Sequence, residues 1–305
     1  MKIITLTLSP AFDVHCTCNG FSPYHENLAT VTSRDAGGKG VNISRALTEN
    51  GIDNLAVVVL GQENAADFEA MLQGYGVSYL PLYRSGRVRE NITLHTDGMD
   101  ETRISFSGFS ADDALLEEIV EVILRATGDG NTIVTLTGRI PDGISMKAVK
   151  DFVKQLKRHG CKLVIDSKSF SKEDILEVKP WLIKPNEEEF PLYADQTERI
   201  DLSAQALRAQ GIENVLLSRG ADGALLAAPD GLYSARPPRI NARSTIGAGD
   251  SMIAGFIAAY AQQKGAAECL KNAVAYGSAA CLTEGTQPPK RRDVLEINEK
   301  ILFED

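Results

Sequence analysis

The sequence predicts an α/β fold, a mainly parallel sheet with helices on both faces that carries a second, smaller β-sheet as an inserted lid. Three observations lead there. From residue 111 to residue 218, stretches of helical periodicity take turns with short β-branched apolar runs, as in the crossover connections of a parallel sheet. Two other stretches, about 11–35 and 88–108, alternate apolar and polar residues like half-exposed strands, with too little apolar surface to fold alone. At 305 residues, 43% hydrophobic and 24% charged, the chain has an ordinary globular composition and room for one large core or two smaller ones.

Residues 2–8 form a β-branched, leucine-rich run suited to a buried first strand. From Ala11 to Cys18 the period changes to two: Phe12, Val14, Cys16 and Cys18 share one face, Asp13, His15 and Thr17 the other. Residues 28–34 supply the return strand. The turn Ala36-Gly37-Gly38-Lys39-Gly40-Val41-Asn42 opens a helix that reaches Asn50 and stops at Gly51. Strands at 54–60 and 78–82 surround a helix at 65–73. Ile92 and Leu94, then Ile104 and Phe106, frame the turn signal Asp97-Gly98, although Met99 to Thr102 make that loop longer than the two-residue kind. Helix 111–126, strand 131–136, helix 144–158, strand 162–166, helix 171–178, strand 181–183, helix 199–210 and strand 213–218 follow. Asp222-Gly223 and Asp230-Gly231 mark turns between short strands up to Ala235, and helices close the chain. The expected division is a core of residues 1–10, 36–87 and 109–305 and a lid of residues 11–35 and 88–108, without repeats, linkers or low-complexity segments.

The formal charge of −9 argues against a general nucleic-acid binder, so anionic substrates would need cations gathered locally. No apolar run approaches a membrane span. Residues 1–8 read as a strand and lack the basic start and long apolar stretch of a signal peptide. The five cysteines are scattered apart from Cys16 and Cys18, which alternate along one strand without a second ligand pair. That pattern argues against zinc and for a reduced, cytoplasmic setting. Exposed lid edges leave open a homodimer through the lid.

The stretch Ser244-Thr245-Ile246-Gly247-Ala248-Gly249-Asp250 leads into a helical, almost wholly apolar run to Tyr260. Gly247 and Gly249 permit a sharp bend and the close approach of an anion to the backbone. A helix start offers unpaired N–H groups and the positive end of its dipole. Asp250, in the first turn, suits a base that takes a proton from an attacking hydroxyl while the amides hold developing phosphoryl charge. The same stretch also reads as a buried helix capped by Ser244 or Thr245, with Asp250 complementing its dipole. Gly37-Gly38-Lys39-Gly40 lacks the spacing and ending of a P-loop, and Met252 stands where a dinucleotide fingerprint needs glycine. Gly37 to Gly40 also reads as a tight turn, yet Lys39 and Asn42 at a helix start suit an anionic ligand.

These residues carry a family resemblance. Gly37-Gly38-Lys39-Gly40-x-Asn42-x-Ser44, with Gly51 and Gly61 at the expected distances, resembles the first signature of the PfkB (ribokinase-like) carbohydrate kinases. Ser244-Thr245-x-Gly247-Ala248-Gly249-Asp250 through Gly255 resembles their second. Lys184-Pro185-Asn186-x-x-Glu189, Gly138 with Pro141, Asp166, Ser218-x-Gly220-x-x-Gly223, and Asn272 with Gly277 also fit, so the resemblance covers essentially the whole chain. The opening from Leu6 to Asp13, Lys39 and Arg89-x-Asn91 look like the phosphosugar branch, which contains 1-phosphofructokinases and tagatose-6-phosphate kinases.

The resemblance implies a three-layer ribokinase-like core and an ATP-dependent, Mg²⁺-requiring kinase of a ketohexose phosphate. Fructose 1-phosphate is the first expectation. Tagatose 6-phosphate or another sugar or nucleoside is the alternative, and a non-catalytic sugar-phosphate sensor is the reading of a different class. It assigns Asp250 as base and Gly247, Ala248 and Gly249 as the phosphoryl cradle. Asp13, Gly38 and Asn42 would meet the sugar, and Lys39, Arg89 and Arg103 its phosphate, although Arg103 also reads as an exposed strand residue. Lys184, Asn186, Ser218, Gly220, Gly223 and Asn272 would serve the nucleotide, with Asn186 and Glu189 ordering Mg²⁺. Three departures stand out: Leu28 follows Asn27 where relatives carry arginine, Arg139 follows Gly138 where they carry a small residue, and Ser167-Lys168-Ser169-Phe170 lacks the customary glycine. Arg139 is therefore expected to replace the missing lid arginine at the sugar's phosphate.

Overall fold

The computed structural model of the chain describes residues 1–98, 101–127, 131–193 and 200–304. Its first half runs β1 (Lys2–Thr7), β2 (Ala11–Cys18), β3 (Ala29–Gly37), α1 (Lys39–Glu49), β4 (Leu55–Gly61), α2 (Ala65–Gly74), β5 (Tyr79–Arg84), β6 (Arg89–Thr96), β7 (Thr102–Ser105) and α3 (Ala114–Thr127). Then come β8 (Thr132–Thr137), α4 (Met146–Arg158), β9 (Lys162–Asp166), α5 (Lys172–Val178), β10 (Leu182–Ile183), α6 (Ile200–Ala209), β11 (Asn214–Ser218), β12 (Ala224–Ala228) and β13 (Gly231–Arg236). The chain ends in α7 (Ala248–Ala261), α8 (Ala266–Ala280), α9 (Arg291–Lys300) and β14 (Leu302–Glu304).

Ten strands form one sheet in the order β14-β13-β12-β11-β10-β9-β8-β1-β4-β5, parallel from β5 to β11 and antiparallel beyond. Strands β1, β4 and β8 are buried on both faces, which is why they read as continuous apolar or threonine-rich runs rather than alternating ones. One face packs against α3 to α6 through residues such as Leu115, Phe152, Ile175 and Leu207. The other packs against α1, α7, α8 and α9. Helix α7 is apolar all round because residues 250–259 are all buried. From β1 the chain's successors lie on one side at β4 and on the other at β8. The crevice at the strands' C-terminal ends between β1 and β8 is therefore the switch point where open α/β sheets take ligands.

The second sheet has the order β3-β2-β6-β7. Phe12, Val14, Cys16 and Cys18 are buried against α2 and β4, whereas Asp13, His15 and Thr17 face the other way, as their alternation predicts. The apolar face thins toward the edge: Ile104 is 47% exposed and Phe106 is 50% exposed, because β7 has a neighbour on one side only. Strand β14 departs from the expectation of closing helices. It pairs with β13 over three residues, too short a run for any period to register. Met99 and Asp100 of the expected loop and Arg199 of the expected helix 199–210 lie outside the described residues. No helix among the described residues is long and apolar enough to cross a membrane.

Candidate active site

Helices α1 and α7 pack together and aim their N-termini at the crevice. Gly38 caps α1 at φ 118° and Gly247 caps α7 at φ 78°, backbone shapes that favour glycine. Neither cap uses a side chain, which leaves first-turn amides for a ligand, although the Ala248 N–H donates to the Thr245 carbonyl at 3.3 Å. Between these helix starts, the ends of β1, β8, β9 and β10 and the polar face of the second sheet lies a cavity of about 640 Å³.

Asp250 stands in its wall at 6% exposure. Asn42, one turn into α1, donates its side-chain amide to Asp250 Oδ2 at 2.9 Å. Burial pushes the Asp250 carboxyl up to about 6, and Asp166 adds to the rise, while Lys39, Asn42 and Lys184 pull against it. Lys39 donates to Asp166 Oδ2 at 2.9 Å. Burial works against the Lys39 ammonium, but Asp166, Asp250 and Glu189 outweigh it and hold its pKa above the ordinary lysine value. Lys184 is buried, and its Nζ lies against the Gly249 backbone: a Cβ built at Gly249 would stand 3.0 Å away. Two ammonium groups thus flank the α7 cap and the buried acid.

A second cationic end forms where the small sheet meets the crevice. Asn91 donates to Asp13 Oδ1 at 2.9 Å, and Arg89 donates to Asn91 Oδ1 at 2.9 Å. Burial raises the Asp13 pKa against the pull of Asn91 and Arg89. Burial lowers that of Arg89, as does the neighbouring charge of Arg139, while Asp13 opposes both. Arg139 lines the same cavity but is half exposed and donates to Asp142 at 2.9 Å. On the opposite wall Asn186 and Glu189 hold each other: the Glu189 N–H donates to Asn186 Oδ1 at 2.7 Å, and the Asn186 N–H to Glu189 Oε2 at 3.4 Å. Lys168 lies 3.3 Å from the free carboxylate oxygen.

The cavity thus gathers Asp13, Gly38, Lys39, Asn42, Arg89, Arg139, Lys184, Asn186, Glu189, Gly247, Gly249 and Asp250, drawn from six separate segments. Ala248 begins α7 between two of them. Arg103 is not among them. It pairs with Glu101 at 3.3 Å and faces a different cavity beside His15 and His95. Ser218 adjoins this wall through its bridge to Asn186, and Gly220 and Gly223 (φ 86°) shape the turn after it. Asn272 donates to the Gly255 carbonyl at 2.7 Å and so ties α8 to α7. Sequence reasoning quoted Asn91 only as part of Arg89-x-Asn91 and gave it no role, although its place two residues after Arg89 on one strand face was a usable signal. It gave no sign of Thr286, which lines the cavity from the loop after α8.

Comparison with known proteins agrees with this geometry. The family model described as "pfkB family carbohydrate kinase" matches residues 11–292. The chain is 32% identical over 283 residues to a 1-phosphofructokinase of Escherichia coli K12, covering 92% of this chain and 90% of that one. It is 33% identical over 269 residues to the 1-phosphofructokinase of Haemophilus influenzae, covering 87% and 85%. In fold it matches crystallised Escherichia coli phosphofructokinase-2 with a TM-score of 0.90 at 24% identity, over 98% of both chains. Such membership implies ATP as the phosphoryl donor. A buried acid at a glycine-capped helix start, cations on either side and a family match across nearly the whole chain lead to one statement: this protein belongs to the pfkB family of carbohydrate kinases and is a phosphotransferase with an alcohol acceptor.

Proposed function

We propose that the protein transfers the γ-phosphoryl group of ATP to a hydroxyl of a ketohexose phosphate, first of all fructose 1-phosphate, giving fructose 1,6-bisphosphate. The observation that carries this is the cavity's pair of cationic ends. Lys39 and Lys184 flank the α7 cap, whereas Arg89 and Arg139 stand together at the other end, a need only an acceptor already bearing an anion would have. The names of the Escherichia coli and Haemophilus influenzae relatives favour fructose 1-phosphate over tagatose 6-phosphate.

In this reading Asp250 takes the proton of the attacking hydroxyl, and the amides of Gly247, Ala248 and Gly249 with Lys184 hold the phosphoryl charge. Asp13, Asn42 and the Gly38 backbone orient the sugar, since phosphoryl transfer asks mainly for alignment and charge stabilisation. Asn186 and Glu189, whose side-chain oxygens stand at the cavity wall, would hold a hydrated Mg²⁺, an ion that keeps water and takes few carboxylates. Bound there, the ion would neutralise phosphate charge. Ser218, Gly220 and Gly223 would border the nucleotide. Residues 11–35 and 88–108 act as a lid that keeps water from competing as acceptor. The exposed Leu28, Val31, Ile104 and Phe106 support a homodimer through that sheet, and five free cysteines a reducing cytoplasmic setting.

A coupled assay of ATP consumption over fructose 1-phosphate, fructose 6-phosphate, tagatose 6-phosphate and fructose tests the reading. The highest kcat/KM is expected for fructose 1-phosphate. A preference for tagatose 6-phosphate would change the substrate, and a preference for unphosphorylated fructose would overturn the role of the arginine end.

A further inference from the structure

Beneath α1, one turn beyond Asn42, Arg45 is 3% exposed. Its Nη2 donates to Asp35 Oδ1 at 3.4 Å and to Gln287 Oε1 at 3.2 Å. The guanidinium lies 4.0 Å over the ring of Tyr75. The same oxygen of Asp35 also accepts from the Tyr75 hydroxyl at 2.9 Å and from Gln287 Nε2 at 3.0 Å. Burial raises the Tyr75 pKa, so the phenol stays protonated and donates. One buried cation therefore joins four parts of the chain: α1, the inner end of β3, the end of α2 and the loop after α8.

Two of these parts touch the site. Asp35 is the direct cross-strand partner of Asp13, so whatever fixes Asp35 fixes the strand pair that presents Asp13. Gln287 follows Thr286, whose Cα lies within 4.0 Å of a Cβ built at Gly247, the cap of α7. A simple internal brace needs no charge, and burying an arginine and a carboxylate is costly compared with apolar packing. Fixed geometry is what a planar guanidinium supplies instead, here through Nη2 shared between Asp35 and Gln287 and a face laid on Tyr75, although Nε and Nη1 are buried without a partner.

We propose that Arg45 is a positioning residue for the acceptor, holding Asp35 so that β2 presents Asp13 at a set place opposite Asn42 and Asp250. This rests on the reading above that Asp13 meets the sugar. Removing Arg45 alone would leave Asp35 as a lone buried charge. The test is therefore the double variant Arg45→Met/Asp35→Asn, with sugar phosphate and ATP titrated separately. A displacement on the order of 1 Å costs up to about 10²-fold in such sites, so the acceptor KM is expected to rise by about tenfold or more. The KM for ATP is expected to stay within about twofold, with more ATP hydrolysed per acceptor phosphorylated. Tyr75→Phe, a milder change at the same carboxylate, should shift the same KM in the same direction and serves if the double variant does not fold. Both KM values rising together, or a lowered melting temperature with both unchanged, would make Arg45 a structural brace and overturn the proposal. An inactive wild-type enzyme would instead sink the kinase reading beneath it.

Discussion

The side-chain amide of Asn42 donates to Oδ2 of Asp250 at 2.9 Å, joining the first turn of α1 to the first turn of α7. The two residues are 208 positions apart in the chain, one from each glycine-rich signature. The bond favours the ionised carboxylate against a burial that favours the neutral one. The balance leaves the pKa at about 6, where a base is mostly ionised at neutral pH yet still able to hold a proton.

The value of kcat/KM should therefore fall on the acid side through about pH 6, close to tenfold for each further unit, since that profile reports groups of the free enzyme. A flat profile from pH 5 to 7 would remove Asp250 from the role of base. Asp250→Asn should lose about 10²-fold or more in turnover. Its stability should move the other way. The folded-state pKa lies above the ordinary 3.8, so the ionised form costs stability, fully so above about pH 6, and the cost fades as pH falls toward 3.8. The rise corresponds to up to about 3 kcal/mol, so the Asn variant should be more resistant to urea at pH 8 and no more resistant at pH 4.

Lys39 gives a test of opposite electrostatic sign. Its ammonium, 2.9 Å from Asp166, is the foremost influence pulling the Asp250 pKa down. Lys39→Met should shift the acid limb of the kcat/KM profile to higher pH and reduce activity at neutral pH. A variant that raises only the sugar-phosphate KM, with the limb unmoved, would return Lys39 to the sugar's phosphate, as the sequence suggests.

How far the sequence led depends on the range of the interaction. Period-two alternation from Phe12 to Cys18 specified both the strand and its buried face, because side-chain direction in a strand is local. The strand at residues 162–166 matched β9 residue for residue, since Gly160 before it and Ser167 after it break the apolar run. The two signatures identified Asp250 and Asn42, but not that one bonds the other, because that contact depends on the crossing of α1 and α7. Lys39 and Asp166 are likewise joined only by the switch point. Arg103 and Asn272 show the converse. Matching positions in a signature or strand do not tell whether a side chain faces the cavity or, as for Asn272, a neighbouring helix.

Arg89 and Arg139 should differ in weight. Arg89 is half-buried and bonded to Asn91, whereas Arg139 is half exposed and shares its charge with Asp142. A contact from a desolvated cation to phosphate is worth about 1.5–3 kcal/mol, and exposure reduces it. Arg89→Met should lower kcat/KM for the sugar phosphate by about tenfold or more, and Arg139→Ser by about threefold to tenfold, with KM for ATP steady. A loss below about threefold for Arg139→Ser would leave that residue as the surface partner of Asp142.

Two glycines of α7 should separate function from folding. Alanine is the better helix former by up to about 1 kcal/mol, so each substitution starts with a gain. At Gly255 a Cβ would meet the Asn272 carbonyl at 2.5 Å and the Tyr276 side chain at 2.9 Å, both fixed in the buried packing of α7 on α8. Overpacking of that kind costs about 1–3 kcal/mol, so Gly255→Ala should lower the melting temperature. At Gly249 the Cβ would meet only the Lys184 ammonium at 3.0 Å, the far end of a flexible chain that can move aside. Gly249→Ala should therefore melt no lower than the wild type, yet lose about tenfold in kcat as Lys184 leaves the phosphoryl cradle, the loss of one charge-assisted contact. Circular dichroism melts beside steady-state kinetics read both effects at once. Full turnover in Gly249→Ala would show that Lys184 does not act at the cradle.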